Sequence, residues 1–231
     1  MNLELFKDFL LGVSFAIVGF VLTFKLAKSN NKKEINFCYS IFIFLFYFFG
    51  VLVSSFKEYR NNLQMVTPLS NVSPLLFTLT LISIFLPENW RNRVYKFMCN
   101  FNIVMIVAGF ISIIYSLVVC PFYFKFLIFD EFAHITYCLF TIYLLKSGQV
   151  TISKKDFGFN CFTMALILVL VFGLNLIFNW NLFGLCLNDG YGIYGNRIFS
   201  NCHLSNIVYV CALALVMVLS YYLSKLFKYK H

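Results

Sequence analysis

The sequence predicts an all-α polytopic membrane protein, seven transmembrane helices in a single domain over residues 1–231. Three observations carry that expectation. Hydrophobic residues make up 61% of the chain and charged ones 12%, with a mean hydropathy of +0.84. A water-soluble chain carries about 25% charged residues, because polar surface must face water. Seven apolar stretches approach the roughly 20 residues needed to cross about 30 Å of hydrocarbon, and the 18 Lys and Arg residues fall mainly on alternate connections between them.

The first stretch, 9–26, is closed by the polar run from Lys28 to Glu34. Thr23-Phe24-Lys25 offers no small-residue cleavage site, so this segment is expected to stay as a signal anchor. The second, 36–55, ends at Lys57-Glu58-Tyr59-Arg60-Asn61-Asn62, and the third, 65–86, at Pro87 to Arg93. The fourth, 98–119, carries Ala108, Gly109, Ser112 and Ser116 as a close-packing face. In the fifth, 126–145, Asp130, Glu131 and His134 interrupt the outer third. Omitting that span would strand the basic connection after it on the wrong side, so it is retained. The sixth, 159–179, follows the connection from Lys146 to Asp156, and the seventh is 205–224. Between them, 180–204 reads as a turn-rich outer loop with Gly184, Gly190, Gly192 and Gly195. Backbone groups in lipid must bond internally, so each span is expected to be a helix.

Orientation follows from the cations. Thirteen lie on one side: Lys25, Lys28, Lys32 and Lys33; Arg91, Arg93 and Lys96; Lys146, Lys154 and Lys155; Lys225, Lys228 and Lys230. Five lie on the other: Lys7, Lys57, Arg60, Lys125 and Arg197. Cytoplasmic loops hold the excess, so the N-terminus is expected outside and the C-terminus in the cytoplasm. The same rule accounts for the net charge of +9 without a nucleic-acid partner. Membrane lipids and a small polar ligand are the expected partners.

Ionisable groups within lipid cost around 2.5–3.5 kcal/mol at a helix centre and mark candidate sites. Asp130 and His134 stand four residues apart on one helical face, continued by Tyr137, Cys138 and Thr141. A carboxylate at that spacing can fix the imidazole tautomer and raise its basicity, which suits a general base. The plainer alternative puts the acids among the headgroups and His134 in a packing hydrogen bond. In the third span Thr67, Ser70, Asn71, Pro74 and Thr78 form a polar stripe, and Pro68 and Pro74 free backbone carbonyls. A helix–helix contact glued by small polar groups would look the same. Asn71-Val72-Ser73 matches a glycosylation sequon that predicted burial makes accidental.

The predicted orientation places Ser70, Asn71, Asp130 and His134 in the outer half of the bilayer. Asn175 and Asn179 close the sixth span on that side, and His203, Ser205, Asn206 and Tyr209 open the seventh. An outer-leaflet polar pocket is therefore expected, with Thr67, Asn71, Tyr137, Asn175 and Asn206 touching ligand. Polar groups also occur in the inner half, at Asn100, Asn102 and Asn160. The eight Cys show no metal-ligand spacing, and neither a phosphate loop nor a zincin motif occurs, so no metal and no cofactor are expected. Cys186 and Cys202 share the outer loop and are candidates for a disulfide, with Cys120 a competing partner.

Residues 65 to about 185 resemble the YwaF-like bacterial membrane proteins, relatives of eukaryotic transmembrane protein 164. The stretches that carry the likeness are Thr67-Pro68-Leu69-Ser70-Asn71, the helix around His134, Leu145 to Val150 leading to Lys154-Lys155-Asp156, and 175–181. The resemblance implies a seven-helix fold in a bacterial plasma membrane and, through the eukaryotic relative, acyl transfer between lipids. That chemistry needs a thiol nucleophile near a His. Where the family reads Pro-Leu-His-Leu-Cys this chain reads Pro68-Leu69-Ser70-Asn71-Val72, so Ser70 stands for the His and Val72 for the Cys. Three functional expectations result: a membrane protein whose outer pocket holds a small polar ligand or lipid headgroup; an acyltransferase-like enzyme with His134 as base, Asp130 assisting and Ser70 as nucleophile; and a structural subunit without chemistry.

Overall fold

The computed structural model describes residues 3–49, 72–102, 124–178, 180, 182–185 and 202–227. The described residues are all-helical, without a strand. Among the described residues seven α-helices run in order: α1 Leu3–Leu26, α2 Lys32–Tyr47, α3 Val72–Ser83, α4 Glu88–Met98, α5 Phe124–Lys146, α6 Lys154–Phe178 and α7 Cys202–Leu226. Short 3-10 turns follow α4 (Cys99–Phe101) and α6 (Leu182–Gly184).

Two of these helices, Lys154–Phe178 and Leu204–Leu226, are long and apolar enough to cross a membrane. A core helix of a water-soluble protein passes the same test, but it does so while buried. Here only 17% and 28% of the apolar windows are buried. Leu166, Val169, Leu170, Leu176 and Ile177 on α6 point outward, as do Ile207, Leu215 and Leu219 on α7. Leu10–Leu26 within α1 and Val72–Ser83 are shorter apolar helices.

The interrupted fifth stretch turns out to be the hub. In α5 every side chain from Ala133 to Leu145 is buried, and α1 and α2 pack along it. A helix apolar all round is one enclosed by protein, and enclosure is where Glu131 and His134 are tolerated. Two glycines let α1 come close: a Cβ at Gly12 would overlap the Glu131 carboxyl group, and one at Gly19 would overlap a methyl of Leu139. Small residues one heptad apart bring two helix backbones together in this way. Thr23, buried between them, donates to the Gly19 carbonyl at 2.7 Å and lies 2.7 Å from the Tyr39 hydroxyl of α2. Tyr39 in turn stacks on Phe140 of α5.

Local chemistry sets the helix ends. Gly148, at φ 71°, takes the left-handed conformation that ends α5, and Val150 N–H returns to the Leu144 carbonyl at 3.1 Å. At the start of α6, Asp156 N–H donates to Ser153 Oγ at 3.1 Å while Ser153 N–H donates to Asp156 Oδ2 at 2.9 Å. This is a reciprocal capping box.

The segment Pro87 to Arg93, expected as a polar connection, is helical from Glu88 onward. With Glu88 in its first turn and Lys96 in its last, α4 has charges that complement the helix dipole. It buries Tyr95, Phe97 and Met98 and exposes Asn89, Trp90, Asn92 and Arg93. Only eleven residues long, it is amphipathic rather than spanning.

Candidate functional site

Position 134 lies in the middle of the hub helix, and its imidazole is almost fully enclosed. His134 Nε2 sits 2.9 Å from Ser73 Oγ, on α3, and Phe77 of the same helix meets the ring edge-on at 5.1 Å. One turn of α3 separates Ser73 from Phe77, so a single helix face supplies both the hydroxyl and the aromatic wall. Glu131, one turn before His134, is 0% exposed and lies against Gly12 of α1. A buried carboxyl and a buried imidazole thus occupy adjacent turns of one enclosed helix.

The other expected site residues are distributed as follows. The Asp130 backbone lies in α5, its side chain outside the described residues, as do Thr67, Ser70, Asn71 and Asn179. Tyr137 is buried one turn below His134, and its hydroxyl donates to the Met98 carbonyl at 2.8 Å. That bond ties α5 to the end of α4. Asn175 is also fully buried. Its amide donates to the carbonyls of Leu182 and Leu185, each at 3.2 Å, and its carbonyl accepts from Leu182 N–H at 2.8 Å. Asn175 therefore braces the turn that carries Phe183, a non-glycine residue at φ 58°. Asn206 is half-buried on α7. The side chains of His203 and Cys202, and all of Cys186 and Cys120, lie outside the described residues, and the disulfide expectation with them.

Sequence reasoning missed Ser73, which follows Ser70 at the i, i+3 spacing that a continuous helix would put on one face; that spacing was the available signal. It also missed the opposite end of the bundle. There Lys32 Nζ donates to the Ser147 carbonyl at 3.0 Å, and the amides of Asn36 and Gln149 bond reciprocally at 2.9 and 3.3 Å. Lys96 pairs with Asp156 at 2.9 Å, and Asn160 donates to the Lys96 carbonyl at 3.1 Å. Lys146 Nζ lies over both Phe24 and Phe227. The ends of α1, α5 and α7 therefore meet at Lys146, the start of α2 joins the end of α5, and the start of α6 joins the end of α4. Beside them lies a cavity of about 410 Å³ lined by Lys33, Glu34, Asn36, Phe37, Cys38, Ile84, Arg91 and Tyr95.

Electrostatics at this end are modest. Asp156 is partly desolvated, which opposes ionisation, but hydrogen bonds from Ser153 and Lys96 outweigh it and hold the carboxyl below its ordinary value. Among the described residues, no three His, Cys, Asp or Glu side chains gather as a metal ion would require.

No family model matches this chain, no curated protein matches it, and no solved structure matches it.

Proposed function

We propose that the chain is a multi-pass membrane protein that holds a small polar ligand or lipid headgroup at the buried polar site around His134. The observation that carries the site is the placement of Glu131 and His134 inside an enclosed helix. Burying ionisable groups at membrane depth costs several kcal/mol unless they are partnered, and such residues line ligand or proton paths by default. In this reading the bundle has seven spans, the fourth of which, 98–119, lies outside the described residues beyond Asn102, with the N-terminus outside, the C-terminus cytoplasmic and His134 in the outer half. Support comes from the clustering of Lys32, Lys96 and Lys146 at one end of the bundle, as the alternation of cations along the chain requires. The host membrane in this reading is a bacterial plasma membrane.

A second reading, lipid acyl transfer, is favoured by one specific geometry. A hydroxyl 2.9 Å from an imidazole nitrogen is a nucleophile and a base within reach of each other. Nε2 would take the Ser73 proton as Oγ attacks an acyl carbonyl and return it to the departing alkoxide. Ser73 thereby fills the nucleophile's role expected of Ser70.

The experiment is a comparison of total lipids from cells carrying no gene, the native gene, His134→Ala or Ser73→Ala. Acyl transfer predicts a lipid species that needs both side chains. A profile unchanged by the gene eliminates the enzyme and leaves ligand holding, which a stability shift of the purified protein with lipid headgroup analogues then tests.

A further inference from the structure

We propose that the cavity between the start of α2 and the α3–α4 turn is a binding site for an anionic phospholipid of the cytoplasmic leaflet. The cavity's side of the membrane rests on the topology proposed above; its chemistry does not.

The lining has two characters. Lys33 and Arg91 bring cations from two different helices to one opening, with Asn36 and Tyr95 beside them. Among the described residues the one ion pair is Lys96–Asp156, so neither Lys33 nor Arg91 is paired with a described carboxylate. Glu34 also lines the opening, leaving the two cations in excess by one charge. In the topology proposed above, the cytoplasmic connections and tail carry thirteen Lys and Arg residues against three acids, Glu34, Glu88 and Asp156, and Asp156 is engaged by Lys96 and Ser153. The field there favours an anion.

The rest of the lining is apolar: Phe37, Cys38 and Ile84. Phe37 is 52% exposed and begins a stripe on α2 that continues through Ile41 to Leu45 and Phe48 at helical spacing. Beside Ile84, Ile82 and Phe85 also point outward, Phe85 at 81% exposure. Thus the cavity opens onto apolar surface on one side and basic surface on the other. A soluble anion would use only the second. An amphiphile with a phosphate head and an acyl tail uses both, and about 410 Å³ lies within the range of small-molecule sites. Basic pockets between helices at the cytoplasmic level take phospholipid headgroups for this reason. The neighbouring α4, with Trp90 exposed and Arg93 stacked over it at 5.4 Å, has the aromatic and cationic character of the membrane–water boundary.

The test is direct binding to the full-length protein in neutral detergent, comparing phosphatidylglycerol with phosphatidylcholine by native mass spectrometry. The variants are Lys33→Gln/Arg91→Gln, a control pair Lys28→Gln/Arg93→Gln that removes equal charge outside the cavity, and Cys38→Trp, which fills the cavity at constant charge. The site predicts preference for phosphatidylglycerol, at least a roughly tenfold loss in the first pair and in Cys38→Trp, and little change in the control. Equal loss in both charge pairs would overturn it in favour of a diffuse basic face. So would retention of binding in Cys38→Trp, or competition by glycerol phosphate at the same concentration, which marks a soluble-anion site. Binding in detergent is independent of membrane orientation, so a reporter placing the C-terminus outside would overturn the topology and leave this result standing.

Discussion

Lys96 of α4 and Asp156 of α6 are joined by an ion pair of 2.9 Å between residues sixty positions apart in sequence. Asp156 simultaneously caps its own helix through Ser153. One carboxylate thus sets where α6 begins and which helix it begins against.

Replacing Asp156 by Asn should lower stability by about 1 kcal/mol at neutral pH, the cap and a partly exposed ion pair together. The folded carboxyl titrates below its unfolded value, so its contribution is present above the unfolded pKa. It is lost as pH falls through the folded pKa. Thermal unfolding in detergent at pH 7 and pH 3 should show the gap between native and Asp156→Asn closing at the lower pH. A gap that widens on acidification contradicts the assignment.

Gly12 admits the Glu131 carboxyl against α1. Gly12→Leu should cost about 1–3 kcal/mol by overpacking. Gly173, with nothing near its Cβ position, serves as the control site: Gly173→Leu should be neutral or stabilising. Equal loss at both positions would mean that the α1–α5 contact is not as described.

Asn175→Ala removes three hydrogen bonds that hold the turn after α6. The expected loss is about 2–3 kcal/mol, since two carbonyls and an N–H are left buried. Were Asn175 instead a ligand contact, the variant would keep its unfolding temperature and lose only ligand-induced stabilisation.

For Ser73 and His134, a double-mutant cycle with Ser73→Ala and His134→Ala should give a coupling of about 1 kcal/mol in stability. Additive losses would mean that the 2.9 Å contact contributes nothing.

Sequence periodicity was enough to find the all-helical class and to place α1, α5, α6 and α7, because long apolar runs leave the backbone no other way to satisfy itself. It misread α4, since eleven residues with Glu88, Arg91, Arg93 and Lys96 look like a loop to any rule based on hydropathy. That helix is held by tertiary contacts, Tyr95 against Phe140 and Asn160 against the Lys96 carbonyl, which no local pattern announces. His134 was legible as an ionisable group in an apolar stretch. Its partner Ser73 was not, because the rotation of α3 about its axis is fixed by packing against α5. The polarity of Tyr137 and Asn175 marks them as candidates, but their hydrogen bonds to Met98, Leu182 and Leu185 depend on how distant turns fold back and are not legible locally. The cavity beside Lys33 and Arg91 was invisible for the same reason.

The central claim, a bundle threaded so that its basic end faces the cytoplasm, is tested most directly by paired reporter fusions after Gly148 and at the C-terminus. The account predicts a cytoplasm-active, export-inactive reporter at both positions, because Lys146 and Phe227, described residues that precede the two fusion points, lie together at one end of the molecule. An export-active reporter at either position, or full-length protein released from membranes by alkaline carbonate, would contradict it.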